Sequence, residues 1–271
     1  MNKLEAFGYI AAQAARGEIS FPTSVNAVLR LQLALDDPDC HVEEAIRLVL
    51  SEPQLAARTV ALANTAAFGA GGVQVTNVRA AVLRIGYRRL RGLVAALMVR
   101  QFGHRITDPV LRAKAGQLWA HTAHVAALAQ VLARRVTGGD PDTALFAGIV
   151  HEVGGFYLLS RADEFPGLLE DDADNWGALC EDVVSFEVMR KLAIPIDVTQ
   201  AIAGLRDGVV NPQPHTLLDT LLLANRYATV ASPLGEGQET PGPGLLDDAA
   251  VRALRDEAAE TAEALGDATL V

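Results

Sequence analysis

His151 and Glu152 stand side by side in ALFAGIVHEVGGFYLL, residues 144–159, a stretch that is apolar on every side at helical spacing. It is expected to form one buried helix. A buried ionisable pair is costly unless a metal, a hydrogen-bond network or a counter-charge compensates it, so whatever chemistry the chain does should be legible around these two residues. A second group is basic. From Arg79 to Lys114 there are nine basic residues and one acid, Asp108, and the density peaks in YRRLRG at Arg88, Arg89 and Arg91. Such a run is either a solvated helix face or a docking surface for an acidic partner or for the phosphates of a nucleotide.

Other chemistries find no support. The Gly-rich AFGAGGV follows no strand and lacks the Lys-Ser/Thr ending of a phosphate-binding loop. Ser51, Ser160 and Ser185 sit in no nucleophile elbow. Cys40 and Cys180 form no CxxC and have no metal-ligand spacing, so they read as reduced thiols. His41, His104 and His215 are isolated near predicted helix ends, where surface or capping roles are the default.

The elements that must position these groups are helices. Half of the 271 residues are apolar, only 5% are aromatic, and strand-type alternation is scarce, so an all-α fold of about a dozen helices is expected. An amphipathic N-terminal helix is followed by helices over 25–35, from near Cys40 to Ser51, and over 54–64. Ser51 is expected to cap the last of these, with Pro53 in its first turn. Helices over 76–85 and 87–102 follow, then the longest, opened by Asp108-Pro109 and stopped by Gly138-Gly139. After the central stretch come helices over 175–192, 196–206 and 217–230. SPLGEGQETPGPG reads as a flexible linker, leading to an acidic, Ala-rich helix over 246–265.

The net charge of −10 argues against general nucleic-acid binding. Much of it is local, with nine acids against two arginines from Glu236 onward. This tail is expected to be able to fold back on the basic run. No segment approaches about 20 apolar residues without a charge, and the N-terminus does not read as a signal peptide. A cytoplasmic protein without membrane association is expected.

Several segments in order, FPTSVNAVLRL, SEPQLAARTVALANTAAFG, VTNVRAAVLRIGYRRLRGLV, LWAHTAHVAALA and FAGIVHEVGGFYL, resemble the HDOD domain of bacterial signalling proteins. The resemblance spans roughly residues 20–232. It rests on Ser51, Glu52, Pro53, Leu55, Ala63, Asn64 and Thr65, then Ala81, Ile85 and Gly86, then the W-x-H and G-x-x-H segments. It implies an N-terminal helical lobe (1–105), a lobe related to HD-type metal phosphohydrolases (106–232), and a linker with an acidic helix (233–271).

An HD-type site binds its metal through a His, a His-Asp pair and a distant Asp. By resemblance these positions hold His121, His151-Glu152 and Asn225. Helical periodicity places His121 about 40° from the centre of a buried stripe, and His124 at its edge, about 100° away. Glu152 and Asn225 also fall on the apolar faces of their helices. Glu152 displaces the carboxylate by a methylene and Asn225 removes a charge, so the set reads as a degenerate remnant, expected to be metal-free and without catalytic residues. The expected function is non-catalytic signalling through a protein partner or a small ligand, a nucleotide among the ligand classes. The alternative is a phosphohydrolase with one divalent metal in a variant site.

Overall fold

The computed structural model describes residues 3–21, 23–51, 53–64, 74–103, 106–162, 164–165, 168, 182–234 and 245–267. Helices dominate, and there is no strand among the described residues. They are α1 (Lys3–Ala15), α2 (Thr23–Asp36), α3 (Val42–Leu50), α4 (Pro53–Ala63), α5 (Val78–Gln101), α6 (Pro109–Leu132), α7 (Pro141–Val150), α8 (Val153–Ala162), α9 (Asp182–Lys191), α10 (Ile196–Ala203), α11 (Leu217–Tyr227) and α12 (Asp248–Asp267). A π-helical turn, Ala133–Thr137, extends α6 to Gly138, whose φ of +70° ends it. The all-α expectation holds.

Side-chain caps set several helix starts. Asp108 accepts from the backbone N–H of Val110 and Leu111 at 2.7 and 3.0 Å, with Pro109 at the first turn of α6. Asp140 accepts from Thr143 at 2.7 Å to open α7. Thr216 and Asp219 form a reciprocal capping box on α11. Ser51 departs from expectation: its hydroxyl donates backward to the Leu48 carbonyl at 2.7 Å and closes α3. Gly86 breaks helical geometry inside α5 with φ +75°, where the sequence predicts a boundary. Asn64 clasps the backbone of Val75 from both sides, donating to its carbonyl and accepting from its N–H at 2.8 Å each.

Helix α6 is the hub, packed by α7, α11 and α12. Helices α2, α3 and α4 gather on α5, which crosses onto α7. One buried apolar cluster runs from Ala6 to Leu265 through both expected lobes. Helix α1 packs on α9 rather than on α2–α5. Its buried stripe is Ala6, Phe7, Ile10 and Ala14, and Arg161 holds Gln13 at 3.3 Å.

Two expectations change. The tail helix folds back onto α6 and joins the core, where the expectation was only a fold-back on the basic run. Val251, Leu254, Ala258, Ala262 and Leu265 are buried as α12 lies on α6, and Arg134 and Arg135 reach Glu257 at 3.3 and 3.2 Å. The expected flexible linker falls on residues 235–244, outside the described residues. The stretch 144–159 is also not one helix, because α7 ends at Val150 and α8 begins at Val153. His151 explains the break. Its Nδ1 contacts the Gly148 carbonyl at 2.7 Å, the acceptor that the Glu152 N–H would use in a continuous helix. The apolar length of 141–162 is mostly buried inside the protein.

Candidate metal centre and basic run

Close approach of α6 and α7 builds the centre. A Cβ on Gly148 would lie 2.5 Å from the Ala126 Cα, so only glycine permits this crossing. From there His151 lies three residues on, just past the end of α7, and His121 lies five residues back along α6. The two imidazoles meet with their Nε2 atoms 3.3 Å apart and ring centroids 5.3 Å apart. The Glu152 carboxylate completes a triad whose ligand atoms all lie within 4.8 Å of one another. His121 and His151 are 4% and 9% exposed.

Both rings are pinned from behind. His121 Nδ1 meets the Val230 carbonyl at 2.7 Å, as His151 Nδ1 meets that of Gly148. A carbonyl only accepts, so each Nδ1 carries the proton, and in neutral rings both Nε2 lone pairs point into the gap. Burial pushes the His151 pKa down to about 4, against a smaller upward pull from Glu152, so that ring is neutral near pH 7. Two facing lone pairs are relieved by a cation between them, either a proton on the pair or a metal.

The donor set fits one divalent cation. Imidazoles held through Nδ1–H by carbonyls are oriented as metal ligands usually are. The 3.3 Å separation matches the edge expected for two nitrogens about 2.05 Å from a tetrahedral ion. The fourth residue of the expected set, Asn225 on α11, is half-buried and turns its Nδ2 back to the Leu221 carbonyl at 3.1 Å.

The segment after α11 straps across α6 at this point. Thr229 Oγ1 meets His124 Nδ1 at 2.7 Å, Val230 holds His121, and Gln117 Nε2 donates to the Ala231 carbonyl at 3.3 Å. Leu234 then fills the space over Gly155, where a Cβ would lie 2.7 Å from its Cδ1 and 3.2 Å from Glu152 Oε2. The strap's backbone role carried no sequence signal. His124 did carry one, three residues from His121 on the same helix. Burial first, and His121 second, lower its pKa.

The expected basic surface is largely neutralised within the chain. Arg88 pairs with Asp140, Arg89 with Asp142 at 3.9 Å, and Arg91 with Asp36 at 2.9 Å. Arg91 also lies over the Phe146 ring at 4.7 Å. The acids come from the start of α7 and the end of α2, not from the tail, whose partners are Arg134 and Arg135. His104 and Cys180 lie outside the described residues.

The profile of the HDOD domain matches residues 21–184, more than half of the chain. The chain belongs to the HDOD domain family. Its match covers His121, His151 and Glu152 but ends before α11, so Asn225 lies beyond it. No curated protein matches. The fold is similar to that of a Shewanella amazonensis protein whose name proposes a metal-dependent phosphohydrolase, with TM-score 0.70 and 18% identity over 98% of this chain and 99% of that one. A Geobacter sulfurreducens HDOD domain protein of unknown function gives 0.64 and 22% over 99% and 100%. A Marinobacter aquaeolei protein whose name proposes signal transduction gives 0.61 and 18% over 98% and 65%. At these identities the likeness speaks for the fold alone.

Proposed function

We propose that this HDOD protein is a non-catalytic regulator that acts by binding a protein partner or a small ligand. The observation carrying this reading is the burial of His121 and His151, 4% and 9% exposed, beneath the 229–234 strap. A phosphoester would have to reach the gap between the two Nε2 atoms, and both rings that flank it are buried. Asn225 supplies no charge where a second acidic ligand would neutralise a cation. The centre then serves as a polar joint that locks α6, the α7–α8 break and the strap together.

A phosphohydrolase reading draws on the converging lone pairs and the Glu152 carboxylate. A divalent cation held by His121, His151 and Glu152 would supply Lewis acidity and an activated water. Within that reading His121, His151 and Glu152 would all serve as ligands. The two readings separate in one experiment. Purified protein, supplied in turn with iron, manganese and zinc, is assayed on a phosphodiester and a phosphomonoester. No turnover above the blank is expected. Turnover that disappears in His151→Ala overturns the non-catalytic reading.

A further inference from the structure

Three side chains of α6 hold one stretch of backbone. Gln117, His121 and His124 follow one another at spacings of four and three residues, so they share a face of the helix. In the same order they meet Ala231, Val230 and Thr229. The strap therefore runs antiparallel to α6, and His121 is the middle rung. Residues 229–233 make no backbone–backbone hydrogen bond among the described residues. A segment of this kind opens more readily than the helices around it, and its place is set by α6 and by what fixes its two ends.

Both ends lead to α12. At the near end Arg255 donates from Nε to the Tyr227 carbonyl at 2.8 Å, tying the last residue of α11 to the middle of α12. At the far end Leu234 is buried over Gly155, and the chain passes from there into α12. Helix α12 itself is held by modest terms spread along its length. Three of the apolar side chains it buries, Ala258, Ala262 and Ala264, are alanines, which remove little apolar area apiece. The arginines paired with Glu257 are half-exposed or more, and such ion pairs are individually weak. His151 is arranged differently. Its Nδ1 is held by Gly148, three residues away on its own segment, so this support passes through neither the strap nor α12.

We propose that α12 is a regulatory arm whose docking sets the orientation of His121 through the strap. With α12 in place, the Val230 carbonyl fixes the His121 ring against His151. With α12 displaced, the strap loses its tie at Arg255, the rung at His121 opens, and the imidazole pair is released from one side only. Arg255 is a positioning residue in this arrangement. The inference rests on the regulatory reading proposed above and deepens it, because it names how an input at α12 reaches the polar joint. The two fail separately: turnover that depends on His151 would overturn the reading, and equal behaviour of the two rings would overturn the coupling alone.

The test uses the full chain labelled with nitrogen-15 histidine. Solvent exchange of the Nδ1–H protons of His121 and His151 is followed by NMR, with the two signals assigned through His121→Gln and His151→Gln. In Arg255→Gln the His121 proton is expected to exchange about tenfold faster or more, the effect of losing one charged hydrogen bond, while the His151 proton keeps the parent rate to within about twofold. Glu257→Gln, a milder change at a partly exposed side chain, should move His121 in the same direction by less. Arg255→Lys, which keeps a cationic donor on a flexible stem, should restore part of the protection. Circular dichroism confirms that each variant is folded. Equal acceleration of both rings would mark a general loosening of the core, and unchanged exchange at His121 would mark an arm that does not reach the centre. Either result overturns the proposal.

Discussion

Replacing Gly148 by alanine sets two calculable effects against each other. The substitution favours the helix by up to about 1 kcal/mol, because alanine is the better helix former. The new Cβ would, however, sit 2.5 Å from the Ala126 Cα and 2.9 Å from its nitrogen. Carbon atoms need about 3.5 Å or more, so the shortfall is about 1 Å, and both obstructing atoms are backbone. No side chain can rotate away, and α6 and α7 must separate. Overpacking of this kind costs about 1–3 kcal/mol, and a backbone collision at the hub belongs at the upper end. The net loss expected is about 2 kcal/mol after the propensity gain, or about 4–8 °C in Tm for a chain of this size. Gly116→Ala, on the same α6, is the matched control: nothing lies within 4 Å of its Cβ position, so only the gain of up to about 1 kcal/mol applies. Thermal denaturation followed by circular dichroism reads both. A Gly148→Ala protein melting at or above the parent would refute the account of how α6 and α7 bring the histidines together.

Stability of the metal-free protein should fall with acid in a particular window. His151 has a folded pKa of about 4 against an ordinary 6.5, so between these values the unfolded chain binds more protons. Unfolding free energy should drop as pH falls from 6.5 to about 4, by about 3 kcal/mol in full. Urea titrations across that range should show the slope, and His151→Gln should flatten it. His151→Leu leaves the Gly148 carbonyl and His121 Nε2 without their partner, and should lower the unfolding free energy by about 1–3 kcal/mol in denaturant titration at pH 7. Asp219, 5% exposed, accepts from the N–H groups of Asn211, His215 and Thr216 and from the Thr216 hydroxyl. Asp219→Ala strands three backbone donors and should cost about 3 kcal/mol or more, read as a lower urea midpoint with m unchanged. Ending the chain before Leu245 removes the cover from one face of α6 and should produce dye binding to exposed apolar surface and a lower Tm. A truncated chain as stable as the parent would mean that α12 contributes no core.

Local pattern determined much of this protein. Caps at Asp108, Asp140 and Thr216 and the turn at Gly86 are written in adjacent residues, because capping and φ preference are local physics. The ordered segments around Asn64, His121 and His151 were enough to place the chain in its family. Periodicity also put His121 on the inward face of its helix, where it is buried, since burial of a helix face has a fixed repeat. What periodicity cannot supply is distance between helices. That His121 and His151 meet depends on the Gly148–Ala126 crossing, and that both rings expose Nε2 depends on two carbonyls, one of them 109 residues away from its partner. The break at His151–Glu152 follows from a side chain taking a carbonyl from the helix ladder, which an apolar stretch does not announce. Charge counting drew attention to Arg88, Arg89 and Arg91, yet the fold answers those with Asp140, Asp142 and Asp36 and leaves Arg100 beside the Trp119 indole. Formal charge is a property of composition. Which charge goes unanswered is decided by which helices pack, and that is settled only when the whole core closes.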